Sequence, residues 1–188
     1  MENITLWIVL GIAAIVILWA IVKYNSFVKL RNRRENAFAD IDVQLQQRYD
    51  LIPQLVSTVK GYASHEKDTL ERVVNARNGA INAQSINEKI VADNALTSAL
   101  AGLKVTVERY PDLKANTNFM QLQEEISDIE NKLAAVRRFF NSATKELNTA
   151  IEMFPAKIIA GMFGFKREMM YDLGAERQVM QQAPKISF

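Results

Sequence analysis

From Ile4 to Val22 the chain runs for 19 residues without a charge, and only Thr5 and Gly11 fall outside the hydrophobic set. As a helix rising 1.5 Å per residue, this run measures about 28 Å, close to the hydrocarbon thickness of a bilayer. Trp7 and Trp19, the two tryptophans of the chain, lie near its ends, where interfacial aromatics sit. A cleaved secretion signal would need a positively charged start, a shorter apolar stretch and a small-x-small cleavage site. Met1-Glu2-Asn3 adds no positive side chain, the run is too long, and no clear cleavage site follows it. Residues 1–23 therefore read as a retained transmembrane anchor.

The flanks orient it. Lys23, Lys29, Arg31, Arg33 and Arg34 follow the run with no acid before Glu35, whereas only Glu2 precedes it. The positive-inside rule then places the body in the cytoplasm and the short N-terminus outside. The same basic collar can contact anionic headgroups. Set apart from the anchor and collar, residues 35–188 hold 18 bases and 20 acids, a net charge of −2. A broad nucleic-acid surface is excluded on that balance.

The remainder reads as helix nearly throughout. Phe119, Leu122, Ile126, Ile129, Leu133, Val136, Phe140, Ala143, Leu147, Ile151 and Phe154 are spaced 3,4,3,4,3,4,3,4 and then 4,3, an apolar heptad repeat. That helix is expected to start near Lys114 and to end before Pro155. Leu96, Leu100, Leu103, Val107 and Tyr110 form a second stretch, opened by a capping-box pair, Ser85 and Glu88, and stopped by Pro111. Leu55, Val59, Tyr62, Glu66, Leu70, Val73, Arg77 and Ala80 form a third. Phe27, Phe38, Ile41, Leu45, Tyr49 and Ile52 form a fourth, continuing from the anchor. Asp50 is expected to cap a new helix there, with Pro53 in its first turn.

The expected fold class is all-α: an N-terminal transmembrane helix followed by an antiparallel bundle of four long helices. It divides into the anchor (1–23), a cytoplasmic bundle (24–153) and an apolar, basic C-terminal segment (154–188). With three reversals the last helix returns toward the membrane. Phe154, Pro155, Ile158, Ile159, Met162, Phe163 and Phe165 would then lie near the bilayer, in a segment too short to span it. Three roles fit them: docking at the membrane interface, contact with a neighbouring copy, or a strap over their own bundle.

The motifs of this chain resemble those of the LemA family. They are Tyr24-Asn25, Ile41-Asp42-Val43-Gln44-Leu45, Arg48-Tyr49-Asp50-Leu51-Ile52-Pro53-Gln54-Leu55-Val56, Val59-Lys60-Gly61-Tyr62, His65-Glu66 and Ala76-Arg77. Phe154-Pro155, Ile159-Ala160 and Phe163-Gly164-Phe165 extend the likeness into the tail. The resemblance covers essentially the whole chain. It implies a single-pass protein of the bacterial inner membrane with a cytoplasmic long-helix bundle, and no defined reaction. Family members are associated with membrane remodelling around magnetosomes and with membrane quality-control metalloproteases.

Chemistry is scarce. No cysteine and one histidine, His65, leave no thiolate or multi-histidine metal site and no nucleophile–base–orienter set. A bridged di-metal bundle would need two Glu-x-x-His elements. Ser64-His65-Glu66-Lys67-Asp68-Thr69-Leu70 resembles the phospho-accepting box of sensor histidine kinases, but there is no proline after Thr69 and no nucleotide-binding domain. Arg48, Asp50, Pro53, Gly61, His65, Glu66 and Arg77 are read as structural, with Arg48, Asp50, Glu66 and Arg77 in a charge network between the first two helices. The expectation is a non-enzymatic protein with no metal, cofactor or small-molecule substrate. Its partners would be the bilayer, further copies of itself and a membrane metalloprotease. A self-assembling membrane scaffold and a helical adaptor are the two functions that fit.

Overall fold

The structure, a computed structural model, describes residues 2–171; the end of the expected C-terminal segment, 172–188, lies outside the described residues. Six helices follow in order: α1 (Glu2–Tyr62), α2 (Lys67–Asn82), α3 (Ile86–Val107), α4 (Pro111–Lys114), α5 (Thr117–Glu152) and α6 (Ala156–Met162). No strand occurs among the described residues. The all-α expectation holds.

One boundary differs from expectation. The chain does not break at Asp50–Pro53: α1 continues through Pro53 to Tyr62, and the reversal falls at Ala63–Glu66. Proline inside a helix removes one ladder bond and costs about 3 kcal/mol or more, so something must take the carbonyl it leaves. Two sites downstream behave as read. Ser85 accepts from the Glu88 N–H at 3.2 Å while Glu88 accepts from the Ser85 N–H, a complete capping box for α3. Extra acceptance from the Gln84 N–H helps hold the Glu88 carboxyl below its ordinary range. At the other end of the chain, α5 stops at Glu152 because the residue before Pro155 is pushed out of helical conformation. Phe154 keeps the heptad spacing but not the burial: it lies beyond the helix and is 83% exposed.

The chain forms two compact units, each drawing on both ends of the long helices: residues 2–37 with 138–171, and residues 38–137. This partition differs from the linear division at 23 and 153.

In the second unit, residues 38–62 of α1, with α2, α3, α4 and the first part of α5, make an up-down-up-down bundle. Lys89 pairs with Asp42 at 2.6 Å and Asp93 with Arg48 at 3.0 Å, so α3 runs parallel to α1. Asn116 donates to the Tyr62 hydroxyl at 2.9 Å and Arg48 to Glu130 at 3.0 Å, so α5 runs antiparallel to it. Buried Phe38, Ile41, Leu45, Ile52, Leu55 and Val59 supply the α1 seam. Phe119, Leu122, Ile129 and Leu133 face it from α5.

In the first unit, the α1 residue Phe27, the α5 residues Leu147 and Ile151, and α6 share a small core. Ala156, Ile159 and Ala160 form the inner face of α6. Trp19, Ala20, Leu30 and Phe165 pack against the same cluster. The tail thus lies on the α1 segment at the end of the apolar run.

The run itself is bare. An 18-residue window at the N-terminal end of α1 has mean hydropathy 2.7, long and apolar enough to cross a membrane, and none of it is buried. An 18-residue window of α3 also reaches 1.2, but buried Ile90, Asp93, Leu96 and Leu103 make it a bundle helix.

Candidate functional site

The α1 seam is apolar except at two positions occupied by arginine. Arg48 stands between Leu45 and Ile52 and is 1% exposed. Its Nη1 donates to Asp93 Oδ1 at 3.0 Å and to Thr97 Oγ1 at 3.1 Å, and its Nη2 to Glu130 Oε1 at 3.0 Å. Arg137 donates to the other Asp93 oxygen at 2.5 Å. Asp93, 0% exposed, therefore joins two guanidinium groups from α1 and α5. An isolated buried charge would be prohibitive, so this centre is stable only as a set. Burial and the Asp93 charge push the neighbouring Tyr49 phenol well above its ordinary value.

The expected network of Arg48, Asp50, Glu66 and Arg77 does not form. Asp50 is exposed and accepts from Gln46 at 2.9 Å. Glu66 accepts from Arg109 at 2.9 Å and from the Tyr110 hydroxyl at 3.0 Å, which raises the Tyr110 pKa. Arg77 donates its Nε–H to the Tyr49 carbonyl at 2.7 Å, the carbonyl that Pro53 leaves without its ladder donor. Gly61 closes the last turn of α1, with open space where a Cβ would stand. His65 is exposed in the turn between α1 and α2. The helical His–Glu pair of a phosphotransfer box is therefore absent, because the helix before it runs on to Tyr62 and ends there.

A groove of about 530 Å³ lies in the second unit, walled by Leu100, Leu103, Val107, Phe119 and Ile126, with Lys104 and Glu130 at its edge. His65 does not line it. Among the described residues no group of three or more His, Asp or Glu is placed to hold a metal ion.

In the first unit, Arg34 is buried in the α1 seam. It pairs with Glu168 at 3.2 Å, donates to the Met169 carbonyl at 3.3 Å and lies 4.9 Å from the centre of the Phe140 ring. Burial draws its pKa down and Glu168 opposes that. Arg33 pairs with Glu146 at 2.6 Å and packs over Phe139. Arg31 packs over Phe165. Three of the five collar residues thus have contacts within the protein, alongside any role toward lipid; Lys29 and Lys23 precede them on α1.

Two asparagines organise the tail. Asn148 Nδ2 donates to the Glu168 carbonyl at 2.9 Å and its Oδ1 accepts from the Glu168 N–H at 2.8 Å. Asn141 does the same with Tyr171, at 2.9 and 2.7 Å. Seven helical residues rise about 10.5 Å, and three extended residues about 10 Å, so the two brackets match. The tail after α6 is therefore laced along α5 by its main chain. Asn141 and Asn148 escaped the sequence reading; their heptad separation beside the apolar seam was the available signal.

The LemA family model matches residues 37–188. This chain belongs to the LemA family. The magnetosome protein MamQ of Magnetospirillum gryphiswaldense is 25% identical over 173 residues, covering 78% of this chain and 64% of that protein. Protein LemA of Metamycoplasma hominis is 25% identical over 137 residues, covering 72% and 63%. Magnetosome protein MamQ 2 of Paramagnetospirillum magneticum is 23% identical over 173 residues, covering 78% and 64%. The chain thus spans a little under two thirds of the length of these relatives. The buried Arg48, Asp93 and Arg137 and the proline-to-Arg77 contact lie inside the LemA match. The apolar run and all five residues of the basic collar precede it.

Proposed function

We propose that this LemA-family chain is a non-enzymatic, single-pass membrane scaffold that self-assembles through its helical bundle to organise or remodel the membrane holding it. The observation that carries self-assembly is the outer face of α3. Val91, Ala95, Ser98, Gly102 and Val105 follow one another at spacings of 4, 3, 4 and 3, and all five are exposed, Val105 at 72%. A helix that is apolar on both faces is ordinarily covered on both. Small residues at heptad spacing let a second helix approach closely. No atom lies within 4 Å of a Cβ built on Gly102, so this face is open in the single chain.

The apolar run of α1 supports the anchor. The five bases after it support an N-terminus outside and a body in the cytoplasm of a bacterial inner membrane. The membrane-organising part of the proposal draws on the magnetosome designation of the MamQ relatives. Size measurement of the full chain in mild detergent tests it. Large homogeneous homo-oligomers are expected, and Val105→Arg with Gly102→Trp should yield monomers of unchanged helicity and melting temperature. A monomeric wild type, or one that co-purifies with a membrane metalloprotease, would replace the scaffold with an adaptor.

A further inference from the structure

We propose that the outer face of α6 and its flanks, Phe154, Ile158, Met162 and Phe163, seats in the headgroup–acyl boundary of the bilayer that α1 crosses. The chain would then hold the membrane at two adjoining places. This rests on the anchor proposed above.

Depth is the first support. The inner face of α6, Ile159 and Ala160, shares its core with Phe27 and is packed by Trp19 and Ala20. The apolar run ends at Val22. Trp19 to Phe27 covers about 12 Å of helix, so α6 sits where the anchor leaves the hydrocarbon. Tyr24 meets Phe163 at 4.7 Å between ring centres and Phe165 at 5.9 Å, placing aromatics at the interfacial level.

Exposure is the second. Phe154 is 83% exposed and Met162 74%, with Ile158 and Phe163 more than half exposed. Leu18, Ile21 and Val22 on α1 are equally bare. The tail patch therefore continues an apolar surface that already belongs in lipid, and commits the patch to lipid before a second copy.

Charge is the third. Residues 153–167 carry Lys157, Lys166 and Arg167 and no acid. A short helix with an apolar outer face and basic flanks suits an anionic interface and cannot span it. The brackets at Asn148 and Asn141, together with Arg34–Glu168, fix the tail to α5 and α1. The face is presented already ordered.

The chain has no cysteine, so single cysteines can be introduced at Leu10, Ile158, Phe163 and Gln121 and labelled with an environment-sensitive fluorophore. The full-length protein is reconstituted in vesicles of phosphatidylglycerol and phosphatidylcholine containing brominated lipid, with helicity checked by circular dichroism. Labels at Leu10, Ile158 and Phe163 should lose at least half their emission, and the label at Gln121 should not. Quenching at Leu10 without quenching at Ile158 and Phe163 overturns the tail contact and leaves the anchor standing. No quenching at Leu10 overturns both. Cross-linking between copies through cysteine at Met162, with Ile158 and Phe163 unquenched, would assign the face to a second copy instead.

Discussion

Arg77 reaches back across the first helical reversal and donates to the carbonyl of Tyr49 at 2.7 Å, four residues before the proline that deprives that carbonyl of its helical donor. A side chain of α2 thus completes a hydrogen bond that α1 cannot make for itself. An unsatisfied buried carbonyl costs about 1–3 kcal/mol, which sets the scale of the first expected outcome. Arg77→Ala should destabilise the detergent-solubilised chain by about 1–3 kcal/mol. In the Pro53→Ala background, where an N–H returns to the ladder, the same substitution should cost clearly less. Equal costs in the two backgrounds, read from urea midpoints, would show that the two residues are not coupled.

The Arg48–Asp93–Arg137 centre predicts a ranking. Asp93→Ala strips the shared carboxylate from two guanidinium groups and should cost about 3–5 kcal/mol. Arg48→Ala leaves Asp93 with Arg137 and should cost less. Glu130 is half exposed, so Glu130→Ala should cost no more than about 1 kcal/mol. Thermal melts of the three variants give the order, and a Glu130 effect as large as that of Asp93 would contradict it.

The Tyr49 ring is buried and its hydroxyl finds no partner among the described residues. Tyr49→Phe keeps the ring and removes a polar atom that burial penalises. Stability should be unchanged or higher by up to about 1 kcal/mol. A clear fall in melting temperature would reveal a partner for the hydroxyl.

Glu88 gives a pH signature. Backbone donation from Gln84 and Ser85 lowers its folded pKa, so its contribution is present above the unfolded value and is lost as pH falls through the folded one. Glu88→Gln should melt below the wild type at neutral pH. The gap should close as pH falls below about 4.3, the ordinary glutamate value. A gap that persists to pH 3 would place the effect in packing.

Much of this architecture follows from spacing. The α5 seam from Phe119 to Ile151, the Ser85–Glu88 box and the stop before Pro155 are local patterns, and local physics decides them. Pro53 misled because its fate depends on Arg77, 24 residues later and on another helix. Arg34 and Arg48 occupy heptad positions, but their charge hides them from an apolar count. Partners remote in sequence, Glu168 for Arg34 and Asp93 with Glu130 for Arg48, make those positions habitable. Phe154 shows the converse: spacing continued after the helix had ended. His65 and Glu66 read as helical because Leu55–Ala80 looked continuous, whereas the reversal had to fall there once α1 passed Pro53.

The unbroken course of α1 from Glu2 to Tyr62 makes helical phase a property of the chain. One residue inserted between Trp19 and Phe27 would turn Trp19 about 100° away from the face that Phe27 shares with α6. Seven inserted residues would bring the two faces back to within about 20°, at the cost of a shift of about 10.5 Å along the axis. An insertion near the end of the apolar run would therefore keep the two faces in phase only as a whole heptad, and even then the tail would meet a different stretch of α1.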